Sequence, residues 1–377
     1  MSVHPETSHD RKASAKSKSS HHRRGSTASS LSGIFHNRKS LERTHFTNEI
    51  GDYELISDIG GVDDISYLYQ ARHIPTGDPV ALKYTDLTIS PDYELIEELI
   101  RTVKNTNQCH HRNILPYWTT FVENERMWNV TCPMQAGSFR NIMRNHFQEG
   151  FSEPVVATIL RELLKAIVYM HDNMLIHNDI RADNILLVEH GEIKITGLRQ
   201  MISLSEGGQY LESVFSIVGD NIEWAAPEVM AQNSVYDEKA DIYSIGITAL
   251  ELAFNRTPFD DWPPLKVLLS KLEYPCPLIP TKKAMSKEFY DMVYACLHKD
   301  PKRRPSACEL ADNAFFKQAK STKFLEAQVL QKLESKPRTG PAVSPEQGPS
   351  PPLPVEDTTP SNHRLDVEEP LDEEPDE

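Results

Sequence analysis

The chain has 377 residues, 39% of them hydrophobic and 8% aromatic, which is enough to bury a sizeable core, and its 26 Pro outnumber its 16 Gly, as in a folded unit with Pro-rich flanks. A formal charge of −15 argues against wholesale nucleic-acid binding, the polar, basic N-terminus lacks an apolar signal core, and no apolar run nears the roughly 18 residues that span a bilayer. The expectation is a soluble, unsecreted chain of the cytoplasm, or of cytoplasm and nucleus, whose five scattered cysteines (Cys109, Cys132, Cys276, Cys296, Cys308) form no C-x-x-C pair and suit a reducing compartment.

Residues 1–48 are a basic Ser/His-rich arm with too few apolar side chains to offset chain entropy, and disorder is predicted. Within it, Arg23-Arg24-Gly25-Ser26 has the form of a phosphorylation site, a pattern that arises by chance in any such arm. Residues 49–136 read mainly as short strands, among them Val80-Ala81-Leu82-Lys83 and Met127-Trp128-Asn129-Val130-Thr131, broken by one helix near 92–105. Residues 137–320 read mainly as helices. Val155, Val156, Ile159, Leu160, Leu163, Leu164, Ile167 and Val168 recur at helical spacing behind a candidate cap at Ser152. Residues 321–377 read as a helical extension that passes, from about residue 337, into a disordered Pro-rich acidic tail. The fold class is α+β, a small β-rich lobe ahead of a larger helical one, with the crevice between them the natural ligand site.

Several short motifs fall in a fixed order: Val80-Ala81-Leu82-Lys83, His177-Asn178-Asp179-Ile180-Arg181-Ala182-Asp183-Asn184, Ala226-Pro227-Glu228, Asp241 in a buried-helix pattern, and Arg304. Each is weak alone, and a lysine on a strand is by itself more often a surface residue. Together they resemble the protein-kinase signature set over roughly residues 53–317, which implies a bilobal kinase-like fold. On that resemblance Lys83 faces the α- and β-phosphates of ATP, Asp179 stands where the base orients a hydroxyl, Asn184 where a metal ligand sits, and Arg304 is the partner of Glu228.

The chain departs from active kinases at four places. The metal-binding Asp-Phe-Gly, thirteen residues after the catalytic-loop Asn, falls on Gly197-Leu198-Arg199, and no Asp occurs between Asp183 and Asp220, so no metal site is expected. Losing even one preorganised electrostatic contact commonly costs roughly 10²–10³ in rate. The glycine-rich loop falls on Gly60-Gly61-Val62-Asp63-Asp64-Ile65 and keeps only its first glycine, which weakens the phosphate cradle, and the segment reads as an ordinary β-hairpin turn more than as a tight phosphate grip. The helix glutamate that should pair with Lys83 is Glu98 if an insertion follows it, and Thr102 if none does. Asn178 replaces the arginine that clamps an activation-loop phosphate.

Gly197-Leu198-Arg199, with His146-Phe147 before Gly150, Asp241-Ile242-Tyr243-Ser244-Ile245-Gly246-Ile247-Thr248 and Phe315-Phe316-Lys317-Gln318, resembles the sterile-twenty-related adaptor (STRAD) pseudokinases. The resemblance implies a catalytically silent adaptor that binds ATP, activates a liver-kinase-B-type Ser/Thr kinase with an armadillo-like scaffold of the mouse-protein-twenty-five type, and feeds polarity and energy signalling. The vertebrate members of that family lack the strand lysine and the catalytic-loop Asp and Asn that this chain keeps, and the family's C-terminal Trp-Glu-Phe peptide is missing here. The expected ATP-binding residues are Gly60, Val62, Lys83, Arg181, Asn184 and Arg199, with Arg199 and Arg181 supplying fixed positive charge in place of Mg²⁺. The competing readings are an atypical active Ser/Thr kinase of the sterile-twenty group that uses Lys83, Asp179 and Asn184, and a scaffold that binds no nucleotide.

Overall fold

A computed structural model describes residues 46–63, 65–89, 93–134, 136–204, 221–231, 236–274 and 284–334, and the side chains of residues 60–63, 93, 94 and 334 lie outside that description. Residues 1–45 of the arm, the acidic tail, residues 205–220 and Cys276 fall outside it.

The small lobe is a five-stranded antiparallel sheet ordered β1-β2-β3-β5-β4, with β1 Tyr53–Asp63, β2 Ser66–His73, β3 Pro79–Asp86, β4 Thr119–Glu123 and β5 Arg126–Thr131. Side chains alternate across a strand, so Val80, Leu82 and Tyr84 of β3 enter an aromatic-rich core with Tyr53, Phe121 and Trp128. Ala81 turns the other way, into a second cluster with Leu115, Met134, Leu186 and Val188. Lys83 shares the face of Ala81, and the same alternation that builds the core aims it at the crevice. Phe46, Thr47 and Asn48, which composition alone puts in the arm, pack on this lobe: Phe46 stacks on Trp118 at 4.8 Å between ring centroids, and Tyr53 Oη donates to Thr47 O at 2.7 Å. One aromatic among polar neighbours carries too little weight in a composition window to mark that start.

Helix α1, Tyr93–Gln108, follows β3 and faces the crevice. The large lobe is built on α2 Phe139–His146, α3 Glu153–Asp172, α4 Pro227–Ala231, α5 Lys239–Phe254, α6 Pro264–Glu273, α7 Lys287–Cys296 and α8 Ala307–Ala311. The apolar residues read at helical spacing bury one face of α3, from Val155 to Ile167. Ser152 holds its N-cap position but makes no side-chain cap bond. The first turn is tied instead by the Glu153 carboxylate, which accepts from Ser286 Oγ at 2.6 Å and from Gln318 Nε2 at 3.2 Å. Helix α5 is buried on all sides from Ala240 to Ala253 and forms the axis of the lobe.

Two short two-stranded antiparallel sheets lie under the crevice: β6 Leu175–Ile176 with β9 Ile202–Ser203, and the hairpin of β7 Ile185–Leu187 with β8 Ile193–Ile195. The expected helical extension runs Thr322–Leu325, a π-helical turn Glu326–Leu330, and Gln331–Glu334, with Leu325 and Val329 fully buried. It packs so closely on Gly191 (φ +73°) that a Cβ there would meet Thr322 O at 2.1 Å, which leaves room only for glycine.

Candidate functional site

The catalytic-loop motif lies between β6 and β7 and is fixed from beneath by Asp241 on α5. The fully buried Asp241 carboxylate accepts from the backbone N–H of His177 and of Asn178, both at 2.9 Å, and from His171 Nε2 at 2.8 Å. Burial alone would raise its pKa, but the His171 hydrogen bond and charge, with the loop N–H groups, hold it below the ordinary value. Burial pushes His177 the opposite way, toward the neutral ring. Its partners assign the tautomer: Nδ1 accepts from Asp179 N at 3.2 Å, and Nε2 donates to Thr196 O at 3.0 Å.

Asn178 sits at φ +67°, a left-handed conformation that Asn tolerates. Its amide donates to Tyr236 Oη at 2.7 Å, so a neutral contact just ahead of α5 occupies the place where an arginine would meet a phosphate. Tyr236 and Asn178 are 58 positions apart, and no local pattern links them.

Asp179 is closely partnered. Its Oδ2 accepts from Asn184 Nδ2 at 2.7 Å, while Oδ1 lies 3.3 Å from Asn221 Nδ2 and 3.2 Å from Arg181 Nε. The Asn184 amide also reaches Asp179 O at 2.8 Å. The two residues read as base and metal ligand are thus bonded to each other, and Asn184 packs closely on Gly197. Gly197 adopts φ +86°, and a Cβ there would meet Asn184 Cγ and Nδ2 at 2.5 Å. Among the described residues no three His, Cys, Asp or Glu groups come together as a metal site.

Three cations surround this centre. Lys83 sits mid-strand, paired with Leu68 of β2 and Asn129 of β5. Arg181 lies against Asp179, with its guanidinium 5.8 Å from the centre of the Trp224 ring. Arg199, on the turn after Gly197, brings Nε to 2.6 Å from Glu98 Oε1. That contact separates the two candidates on α1: Glu98 points at the crevice centre, whereas Thr102 donates its hydroxyl to Glu98 O at 2.9 Å. Gly60 and Val62 lie in the last part of β1, where Gly60 pairs with Leu68 and the register shifts between Gly61 and Asp63. The strand continues to Asp63 opposite Ser66, so the chain turns here as a tight hairpin. Above and below the crevice, Ala81 with Leu68 and Leu186 present the apolar surfaces that a flat ring would need.

Motif reading missed three further parts of the site. Asn221 donates to Asn178 O and to Asp179, both at 3.3 Å. The fully buried Glu251 accepts from Ala182 N at 3.0 Å and from Trp224 Nε1 at 2.9 Å, and burial raises its pKa to about 7. Lys271 of α6 donates to the carbonyls of Ile222, Glu223 and Ala225 at 2.7–2.8 Å, tying the segment ahead of α4 to that helix. Behind it, Arg304 is buried and pairs with both oxygens of Glu228, Nη2 to Oε2 at 2.8 Å.

Residues 53–316 match the protein kinase domain. The chain belongs to the protein kinase family. Within it, the similar proteins are STE20-related. STE20-related kinase adapter protein alpha of Bos taurus is 33% identical over 323 residues, covering 73% of this chain and 86% of that protein, and the Homo sapiens form is 32% identical over 346 residues, 79% and 80%. The serine/threonine-protein kinase fray2 of Dictyostelium discoideum is 40% identical over 293 residues, 77% of this chain but 28% of that protein. Germinal center kinase 3 of Caenorhabditis elegans, at 35%, is spanned over 50% of its length. The chain spans 80–86% of these adapters and half or less of the two kinases. The small-lobe sheet, the helical large lobe and the crevice are those of a bilobal kinase fold.

Proposed function

We propose that this kinase-family chain is an adaptor pseudokinase that binds and activates a liver-kinase-B-type Ser/Thr kinase, with an armadillo-like scaffold of the mouse-protein-twenty-five type as third component. The observation that carries the reading is the residue at the metal-aspartate position: Gly197 has no carboxylate, and Asn184, which donates to Asp179, packs where a Cβ at 197 would fall. Phosphoryl transfer depends on a metal to neutralise developing charge. Without one, a retained Asp179 can orient a hydroxyl but cannot stabilise the transferring group. The similarity to STE20-related kinase adapter protein alpha supports the same reading.

ATP, taken without Mg²⁺, is the ligand proposed for the crevice. Its adenine fits the apolar surfaces of Ala81, Leu68 and Leu186, and its phosphates find Lys83, Arg181 and Arg199. Guanidinium groups are always charged and pair phosphate bidentately, so affinity would need no metal. Arg199 would have to share its charge between the nucleotide and Glu98.

A second reading, an atypical active kinase of the sterile-twenty group, draws on Lys83, Asp179 and Asn184 and on the similarity to fray2 and germinal center kinase 3. One experiment on the full chain separates the two. The expected result is a rise in melting temperature with ATP in EDTA, stimulation of a liver-kinase-B-type kinase on mixing, and no phosphotransfer by the chain alone. Phosphotransfer that disappears in Asp179→Asn, with no stimulation of the partner, would replace the adaptor reading with the enzyme one.

A further inference from the structure

Glu98 and Asn105 stand seven residues apart on α1, and Cys109, four further on, directly follows its last residue Gln108, so the three line one side of the helix over about three turns. All three meet the turn that stands in place of the metal aspartate. Glu98 Oε1 takes Arg199 Nε at 2.6 Å, Asn105 Nδ2 donates to Leu198 O at 2.9 Å, and Cys109 Sγ lies 3.7 Å from Met201 Sδ. Between them, Thr102 and Thr106 turn their hydroxyls back onto the helix carbonyls of Glu98 and Thr102, which leaves the seam to the other three. The Asn105 and Cys109 contacts secure the C-terminal half of the helix. At the N-terminal half, nearest the crevice, α1 is joined to the turn by an ion pair with side chains 47% and 27% exposed.

An acid at this turn would repel Glu98, whereas the Arg199 cation attracts it. We propose that Arg199 is a positioning residue, whose pairing with Glu98 holds α1 against the crevice. The inference concerns the chain without ligand and stands apart from whether ATP binds or a partner is activated.

Hydrogen exchange of the full chain in EDTA, read by mass spectrometry over residues 97–105, tests it. Arg199→Ala and Glu98→Gln should each speed α1 exchange about two- to five-fold, as expected for a partly exposed ion pair, and the double variant should add nothing to either single one. The exchanged pair Glu98→Arg with Arg199→Glu should restore protection. Unchanged α1 exchange in Arg199→Ala, additive single effects, or acceleration in Lys83→Ala but not in Arg199→Ala would overturn the proposal. If a variant fails to fold, salt reads the same pair in the unaltered chain. Raising NaCl from roughly 0.05 to 0.5 M shortens the screening length and should loosen α1 selectively, leaving α3 unchanged. A flat response also counts against Arg199.

Discussion

Restoring the aspartate by Gly197→Asp is the direct test of the reading at the metal-aspartate position. The new Cβ would fall 2.5 Å from Asn184 Cγ and Nδ2 and 2.8 Å from Oδ1, so Asn184 must swing away. Doing so breaks its bonds to Asp179 O and Oδ2 at 2.8 and 2.7 Å, one of them to a charged group, which together cost about 2–3 kcal/mol. The left-handed backbone at φ +86° adds about 1 kcal/mol for a residue with a Cβ, Asp being among those that tolerate it best. The sum, roughly 3–4 kcal/mol, corresponds to a fall in melting temperature on the order of 10 °C for a domain this large. Gly197→Ala makes the same clash without a carboxylate and should lose a similar amount. Thermal unfolding in EDTA, in Mg²⁺ alone and in Mg-ATP reads all three terms. A Gly197→Asp chain as stable as the parent, or one that gains a Mg²⁺-dependent rise with ATP and phosphotransfer, would refute the reasoning: Asn184 would then move freely and the site would be one residue from an enzyme.

Glu251 predicts a pH dependence. Its pKa rises from the ordinary carboxylate range to about 7 on burial, so the folded chain holds a proton that the unfolded chain releases, and stability should fall as pH rises between about 4.5 and 7. Glu251→Gln keeps an acceptor for Ala182 N and Trp224 Nε1, and the difference between parent and variant melting temperatures should follow that window; a constant difference would show the carboxyl to be ionised throughout. Replacing buried Lys271 by Met strands the carbonyls of Ile222, Glu223 and Ala225, and should cost about 3 kcal/mol in denaturant unfolding while speeding exchange at residues 222–225; no local effect would mean the segment is held by α4 alone. Arg304→Ala leaves Glu228 half of a buried pair, with a loss of about 3–5 kcal/mol expected by the same measurement.

Legibility in the sequence followed the range of the interaction. Strand alternation fixes the faces of Val80 to Lys83, and helical spacing fixes the buried face of α3, because both depend on neighbours along the chain. The motif spacing located Asp179, Asn184, Gly197 and Arg304, since loop and turn lengths in this fold are constrained. It could not say that Asn184 bonds Asp179, because a side-chain rotamer depends on what surrounds it, and the missing carboxylate at 197 is what frees that space. Glu98 against Thr102 was undecidable from spacing, because the two residues are one turn apart on the same helix. The partner that separates them, Arg199, lies a hundred positions away. Asn221, Tyr236 and Lys271 act through distant carbonyls, an amide and a carboxylate, and carry no motif at all.

These distant contacts bear on how a kinase-like chain can hold its shape without the usual ligands. An active member relies on a phosphate held by an arginine, a metal held by an aspartate and a glutamate held by a lysine. Here Asn178 at the phosphate-clamp position bonds Tyr236, Asn184 bonds Asp179 beside Gly197, and Arg199 meets Glu98. Each of these contacts is made within the polypeptide, and the three together favour one arrangement of loop, turn and helix. A surface meant to be read by a partner kinase is better served by that permanence than by a site that must open and close with each turnover. If so, stimulation of the partner should tolerate Lys83→Ala better than Arg199→Glu, which sets two acids against each other at the α1 seam. The reverse order would mean that nucleotide held by Lys83, and not the built-in closure, is what the partner reads.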